Sequence, residues 1–204
     1  MSNTIDLRVV KTLENIKNGF AECIRQKPFS SVSVSDISEA AKINRSTFYK
    51  YYLDKYELRD RLIKTTLKEL SDNITLEAFQ FENSNLSNAQ AATVKQLQYM
   101  YSQKDWYLLL WNKNLELYVF EDMARLFESR TRECLEKDFT GKMKSADEKT
   151  TEKLELFARL FASSSLTTVK WWYEYAPSMT SQEVSDIIMN SIRFGMSKTF
   201  LRTL

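Results

Sequence analysis

Four basic side chains lie close together in a chain that is otherwise nearly neutral. Lysine and arginine neutralise phosphate groups and release the counterions that nucleic acids condense. Segment 42–55 has a net charge of +3, since Asp54 is the one acid beside Lys42, Arg45, Lys50 and Lys55. The whole chain has a formal net charge of only +2, so the remaining 190 residues sum to −1. The segment therefore indicates phosphate binding, although a cluster of this size also fits a solvated basic face.

Hydroxyl groups are frequent in the same segment. It contains Ser46, Thr47, Tyr49 and Tyr51. Side chains of these types donate hydrogen bonds to phosphate and sugar oxygens in protein–DNA complexes. The residue types around the basic cluster therefore predict contacts with a nucleic-acid backbone.

Two elements are predicted immediately before this segment. An apolar stripe with helical spacing predicts a first helix over about 6–26, and Pro28 ends it. Ser33 can then cap a short helix over about 34–41, with Asp36 reaching back from the third helical position as in a capping box. The long helix would support the short one.

The basic segment itself predicts a turn and two more helices. Three residues separate the short helix from Asn44, a good N-cap for a second short helix over about 45–51. Asp54 can cap a longer helix that runs to about Asn73. Two short helices joined by a three-residue turn, after a longer helix, are the pattern of a helix-turn-helix.

The run from Val34 to Leu58 resembles the DNA-binding signature of the tetracycline-repressor (TetR) family. The residues that fall in register are Ile37, Ala41, Thr47, Tyr49, Tyr51, Lys55 and Leu58. The resemblance covers about residues 8–60, and the rest of the chain resembles the family in length and helical layout only. The departures are Lys42 where the family has a turn glycine, Ser38 where it has alanine, and Tyr52 where it has phenylalanine.

The resemblance implies a role for each matching position. Arg45 and Ser46, with Lys50 beside them, would face base edges in the major groove, where arginine pairs with guanine. Lys55 would contact phosphate together with the first amides of its helix. Contacts with the DNA backbone are implied for Ser33, Ser35, Thr47, Tyr49, Tyr51 and Lys55.

Long helices and loops are predicted for the rest of the chain. Three glycines and two prolines leave little material for tight hairpins. We expect loops over 81–88 and 140–150, and helices over about 89–102, 106–135, 146–175 and 181–201. The predicted fold is all-α, with about nine helices and no strand. A three-helix helix-turn-helix domain is expected over residues 1–53, and a helical bundle domain for effector binding and dimerisation over 54–204.

The predicted partners are double-stranded DNA with a palindromic operator, a second copy of the chain, and a small-molecule effector. Helix-turn-helix proteins usually bind as dimers, because one copy reads only half a site. The family's dimer is a four-helix bundle from its last two helices, and the residues expected there are Phe161, Ser165, Trp172, Ile188, Ile192, Gly195 and Thr199. The middle helices are expected to enclose an apolar or aromatic effector, with the lining Tyr99, Met100, Trp106, Tyr107, Trp111, Tyr118, Phe120 and Phe127. Plain intramolecular core is the alternative for both sets.

Other kinds of chemistry have little support in the sequence. The chain contains no histidine, the commonest general base and transition-metal ligand. It has no glycine-rich phosphate loop and no nucleophile–base pair, so we expect no enzyme, cofactor or metal site. Cys23 and Cys134 are expected to be buried reduced thiols. Neither a signal peptide nor a membrane span is predicted, and a cytoplasmic location is expected.

The leading hypothesis is a repressor whose DNA binding a small molecule controls. The alternative is a TetR-like co-activator or adaptor that acts mainly through a protein partner. The sequence leaves open the operator, the effector and the sign of regulation.

Overall fold

The computed structural model describes residues 6–74, 86–138, 148–191 and 195. Within these ranges the chain is helical and contains no strand, which confirms the all-α prediction. Nine α-helices are present in the described part: α1 (Leu7–Gln26), α2 (Val34–Ala40), α3 (Arg45–Phe48), α4 (Lys55–Asn73), α5 (Leu86–Ser102), α6 (Lys104–Leu110), α7 (Val119–Asp138), α8 (Glu148–Tyr175) and α9 (Ser181–Ser191). Short 3-10 turns cover Phe29–Ser31 and Lys113–Leu115. Among the described residues, no helix is both long and apolar enough to cross a membrane.

The chain divides into two compact units. Unit 1 comprises Met1–Thr66 and Asp105–Val119, and unit 2 comprises Leu67–Lys104 and Phe120–Leu204. These units differ from the predicted division after Leu53. Helix α4 begins in unit 1, and unit 1 also takes in a segment from the middle of the chain.

Unit 1 is built on the apolar stripe of α1. Ile16, Phe20 and Ile24 are fully buried, and α1 packs on α2. The two helices meet at Gly19, where a Cβ atom would lie 2.7 Å from both the amide nitrogen of Ala41 and the carbonyl oxygen of Ile37. A side chain at this position would therefore push the two helices apart.

Side chains cap the starts of α2 and α4 as predicted, whereas the Asn44 side chain makes no capping hydrogen bond at the start of α3. Ser33 Oγ accepts from the amide of Asp36 at 3.1 Å, and Asp36 Oδ2 accepts from the amide of Ser33 at 2.7 Å. Asp54 Oδ1 accepts from the amides of Tyr56 and Glu57, both at 2.8 Å. These bonds satisfy amides that have no partner within their own helix.

The single long helix predicted over 106–135 is wrong. The chain leaves α6 after Leu110, makes a turn capped by the Asn112 side chain, and passes through Glu116 in the left-handed conformation, with φ of 59°. It then starts α7 at Val119. The apolar residues of this stretch lie on several faces because the two parts pack into different units.

Unit 2 is formed by α5, α7, α8 and α9, and α9 packs on both α5 and α8. Helix α5 begins at Leu86, so residues 86–88 are helical rather than part of the predicted loop. Thr180 and Glu183 form the predicted reciprocal cap before α9, with distances of 2.7 and 3.2 Å. Helix α9 is described as far as Ser191. Of its predicted extension over 192–201, only Gly195 is among the described residues.

Candidate nucleic-acid interface and interior cavity

Helix α3 is anchored by one residue and exposed on its other side. Phe48 is fully buried, and its ring packs edge-on against Tyr49 and at a tilt against Tyr52, with centroids 5.6 and 5.7 Å apart. The residues around this anchor that face solvent are Arg45, Ser46, Tyr49 and Lys50. The structure thus brings together on one surface four of the predicted DNA-binding residues.

Three cations on this surface have no carboxylate partner. Lys42, Arg45 and Lys50 are exposed, and none of them forms an ion pair with an acid in the described part of the chain. Elsewhere in unit 1, by contrast, Lys27 pairs with Asp36 at 2.9 Å. Unpaired surface cations are available to neutralise phosphate.

Lys42 holds the turn between α2 and α3 in an unusual conformation. Its φ is 55°, in the left-handed region that favours glycine. The chain therefore keeps the turn that the resemblance implies, although the usual glycine is absent.

Ser33 and Asp36 form a network at the start of α2. Ser33 Oγ donates to Asp36 Oδ2 at 2.8 Å, and Lys27 Nζ donates to the same oxygen at 2.9 Å. The hydrogen bond from Lys27, followed by those from Ser33, lowers the pKa of Asp36 to about 2. Ser33 is thus a cap residue, and Ser35, two positions later, is exposed.

Lys55 is placed differently from the surface cations. Its ammonium group donates to three backbone carbonyl oxygens of the turn before α2, those of Phe29 at 2.8 Å, Ser30 at 3.0 Å and Val32 at 2.7 Å. It also lies 4.7 Å from the centroid of the Phe29 ring. An ammonium group has three N–H donors, so this arrangement uses all of them. Within the chain no donor of Lys55 is left over, and its expected phosphate contact stays a prediction.

Two further predicted residues are half-buried. Thr47 lies on the side of α3 nearer the core, and Tyr51 follows α3. The Tyr51 carbonyl accepts a long hydrogen bond, 3.4 Å, from Arg61. Their contacts with phosphate stay a prediction.

A cavity lies within unit 2, between α5, α7, α8 and α9. Its accessible volume is about 40 Å³. The lining comprises Thr93, Gln96, Leu97, Met100, Phe127, Phe161, Ser165, Leu166, Val169, Ile188 and Met189. Of the residues predicted to line an effector site, Met100 and Phe127 are therefore at this cavity.

The other six predicted lining residues lie elsewhere. Trp106, Tyr107 and Trp111 belong to unit 1, where the Trp106 indole donates to Thr66 Oγ1 at 2.8 Å. Tyr118 is 81% exposed. The remaining two are half-buried in unit 2, outside the lining: Tyr99 and Phe120. Aromatic character alone did not distinguish cavity walls from ordinary packing.

Comparison with known proteins identifies the domain that contains the interface. Residues 20–62 match the family model described as bacterial regulatory proteins, tetR family. This range includes the buried anchor, the turn and every exposed residue of α3. This part of the chain is thus similar to regulators of the TetR family.

Two curated relatives are similar to part of this chain. The HTH-type transcriptional regulator YxbF of Bacillus subtilis is 34% identical over 89 residues, which is 43% of this chain and 23% of that protein. The HTH-type dhaKLM operon transcriptional activator DhaS of Lactococcus lactis is 33% identical over 72 residues, 35% of this chain and 38% of that protein. The chain therefore spans less than half the length of these relatives.

Solved structures share the fold over nearly the whole chain. The dihydroxyacetone kinase operon activator DhaS superposes with a TM-score of 0.55 and 19% identity, over 94% of this chain and 98% of that one. FadR from Thermus thermophilus, a TetR-family repressor in complex with lauroyl-CoA, gives a TM-score of 0.53 and 17% identity, over 90% and 94%. A helix-turn-helix followed by a helical domain is thus the shared architecture.

The residues predicted for the TetR-type dimer lie mostly inside unit 2. Phe161, Ser165 and Ile188 line the cavity, and Trp172 is buried against Tyr101, with ring centroids 4.7 Å apart. These four side chains thus pack mainly within one copy, and their place in a dimer interface stays a prediction. Gly195 is exposed, and Ile192 and Thr199 lie outside the described residues.

Two residues that support the interface were not identified from sequence. Glu116 accepts from the amide and the hydroxyl of Ser30, at 2.7 and 2.9 Å, and so ties segment 105–119 to the turn before α2. Gly19 permits the close approach of α1 and α2. A glycine inside an apolar helical stripe was the available signal for Gly19, whereas nothing in the sequence links Glu116 with Ser30.

Proposed function

We propose that this protein is a transcription regulator that binds DNA through α3 in a sequence-specific way. The observation that carries the proposal is the exposed surface of α3, where unpaired cations and hydroxyl groups surround the buried Phe48. Arg45 stands at the first position of the helix, and the first residues of a recognition helix contact base edges. Lys50 follows the end of α3, so we assign it, like Lys42, to phosphate neutralisation rather than to the base edges that the resemblance implies for it.

Binding to a selected operator tests this proposal. A DNA pool is enriched for tight binders, and fluorescence anisotropy compares the enriched sequence with random DNA at two salt concentrations. Arg45→Ala should lose about 1–3 kcal/mol on the operator and much less on random DNA. Its matched control is Lys50→Ala, which should weaken both DNAs similarly. Failure to enrich any sequence, or equal losses for Arg45→Ala on both DNAs, would contradict sequence readout by α3.

The dimer is proposed to form through an exposed stripe on α8. Leu156, Leu160, Trp171 and Tyr175 are exposed at helical spacing. Between Leu160 and Trp171 the exposed residues are small: Ser163, Ser164 and Thr167. Ile187 is exposed on α9. Contiguous apolar surface of this kind marks interaction sites, and small residues allow helices to approach closely. A second copy is the proposed occupant, because two recognition helices are needed to read a palindrome.

We propose that a small molecule controls DNA binding through the segment between α5 and α7. Met100 on α5 and Phe127 on α7 line the cavity, and the chain between these helices, Asp105–Val119, belongs to unit 1. Within unit 1, Glu116 holds Ser30 and Asn114 donates to the Ile24 carbonyl at 2.9 Å. A ligand that shifts α5 or α7 would strain a segment bonded next to the helix-turn-helix. FadR, described as bound to lauroyl-CoA, supports ligand control in this fold.

The activating role of the relative DhaS favours a second candidate function. DhaS is described as an HTH-type transcriptional activator. The alternative for this chain is a co-activator or adaptor that acts through a protein partner. A reporter gene placed behind the selected operator distinguishes the cases. Repression by the wild-type protein alone supports the leading proposal, whereas activation that requires a co-purified partner supports the alternative.

A further inference from the structure

We propose that the cavity of unit 2 takes an uncharged, mainly apolar ligand with one oxygen atom that accepts a hydrogen bond, and that Gln96 and Ser165 bind this oxygen. This inference rests on the proposed function, because it specifies the effector of the same cavity.

The lining sets the charge of the ligand. None of the described residues around the cavity is ionisable, and only Thr93, Gln96 and Ser165 among them have polar side chains. A charged group placed there would lose its hydration without gaining a counter-charge, which is highly unfavourable in apolar surroundings. The other lining side chains, which include the rings of Phe127 and Phe161, favour an apolar or aromatic body.

Two polar groups set the position of the ligand's oxygen. Gln96 and Ser165 are only 9% and 7% exposed, and neither Gln96 Nε2 nor Ser165 Oγ has a hydrogen-bond partner in the described part of the chain. Buried polar groups are normally paired, and leaving one unpaired costs free energy. An amide nitrogen can only donate, so its missing partner is an acceptor. A serine hydroxyl can donate or accept, which suits a carbonyl, hydroxyl or ether oxygen.

Thr93 provides an internal comparison. Its hydroxyl also lies in the lining, but it already donates to the Ala89 carbonyl at 2.8 Å. Its removal should therefore not affect recognition of the ligand's oxygen.

The cavity must widen several-fold to admit even a small ring. Its volume is about 40 Å³, whereas an apolar cavity that binds benzene has about 150 Å³. Met100 and Met189 both line the cavity, and methionine side chains rearrange readily because they are unbranched. A compound with about the bulk of one six-membered ring is therefore the expected size class.

Titration calorimetry with three compounds of similar shape tests the proposal on the full-length protein. Phenol offers a neutral oxygen, toluene has the same bulk without one, and benzoate is an anion. Phenol should bind about tenfold more tightly than toluene, and benzoate should bind most weakly. Gln96→Leu and Ser165→Ala should remove most of the preference for phenol and leave toluene affinity similar. Thr93→Val should preserve the preference.

A second measurement guards against variants that merely fold poorly. Gln96→Leu removes an unpaired buried donor, so the ligand-free variant should melt above the wild type, by a few degrees. Equal affinity of the wild type for phenol and toluene, tightest binding of benzoate, or no binding of any probe would overturn the proposal. A lower melting temperature for Gln96→Leu would also overturn it, because the amide would then be paired within the fold.

The same samples separate this inference from the proposed function. If phenol binds with the expected preferences but leaves operator affinity unchanged, the ligand assignment stands and control of DNA binding through this cavity fails. If no operator is found, the calorimetry still decides the ligand assignment.

Discussion

Lys50 and Lys55 have the same side chain in very different surroundings. Lys50 is exposed next to α3, and Lys55 donates to three carbonyl groups of unit 1. The signature places both in a DNA-binding role, because a sequence motif specifies which residue is present but not where its donors go. The carbonyl contacts give Lys55 a structural role, since they hold the turn from which α2 starts.

Salt dependence separates these two roles. Lys50→Ala should reduce the slope of log affinity against log salt by about 0.9 per protomer, because one phosphate contact and its counterion release are lost. Lys55→Met should leave this slope unchanged and lower the free energy of unfolding by about 1–3 kcal/mol, as three carbonyl groups lose their donor. Anisotropy titrations and urea unfolding measure the two quantities. A reduced slope with unchanged stability in Lys55→Met would restore Lys55 as a phosphate ligand.

Lys42 is a second residue whose backbone matters as much as its charge. A side chain in the left-handed region costs about 1–2 kcal/mol. Glycine has more conformational freedom in the unfolded chain, which offsets part of the gain from removing this strain. Lys42→Gly should therefore raise the free energy of unfolding by up to about 1 kcal/mol. DNA affinity should fall, because a positive charge is lost. Lys42→Ala is the control, since it removes the charge but keeps Cβ, and it should not gain stability. Equal stability of the two variants in urea unfolding would exclude strain at this position.

Helix boundaries were predictable where capping residues mark them. The starts of α2, α4 and α9 were expected from Ser33, Asp54 and Thr180, and the structure shows side-chain caps at each. The break between α6 and α7 was missed because it depends on Glu116 adopting a left-handed conformation and bonding Ser30, which is 86 positions away. Local patterns carry no information about such a contact. The cavity walls were missed for a similar reason, since they depend on how four helices face one another.

The contact between α1 and α2 determines how the helix-turn-helix is held. Gly19→Ala should lower the free energy of unfolding by about 1–3 kcal/mol, because its methyl group would overlap the backbone of Ala41 and Ile37. Operator affinity should also fall as α2 shifts. Asn18→Ala, an exposed neighbour on the same helix, is the control and should change neither quantity. Wild-type stability of Gly19→Ala in urea would show that the two helices can separate at little cost.

Low pH should reduce the stabilisation that Asp36 gives to the start of α2, and it should do so within a defined pH range. The bond from Lys27, with those from Ser33, lowers the pKa of Asp36 from 3.8 to about 2. A carboxyl group with a lowered folded-state pKa stabilises the fold above its unfolded pKa and loses this contribution as pH falls through the folded value. The stability difference between wild type and Asp36→Asn should thus be constant above about pH 5 and shrink between pH 3.8 and 2. Urea unfolding across this range measures it, and a pH-independent difference would refute the assignment.

Dimerisation is the property of the whole molecule that sequence patterns specify least. Helix α8 has apolar residues on two faces, and the predicted interface used Phe161 and Trp172 from the face that is buried within one copy. The periodicity of a helix shows that apolar faces exist, but it does not show which face meets the same chain and which meets another. Exposure in the folded structure distinguishes them and favours the stripe from Leu156 to Tyr175.

A charge within this stripe should separate the two copies. Trp171 is 47% exposed in a single chain, so Trp171→Glu should fold normally but place an unpaired carboxylate in the apolar interface, which is strongly unfavourable. Sedimentation equilibrium should show a monomer, and binding to a palindromic operator should fall to that of a single half-site. Tyr118→Glu, at a position 81% exposed in unit 1, should remain dimeric. If Trp171→Glu stays dimeric with wild-type operator affinity, the interface lies on another surface. A contact between two α8 helices could not include an unpaired carboxylate and stay stable.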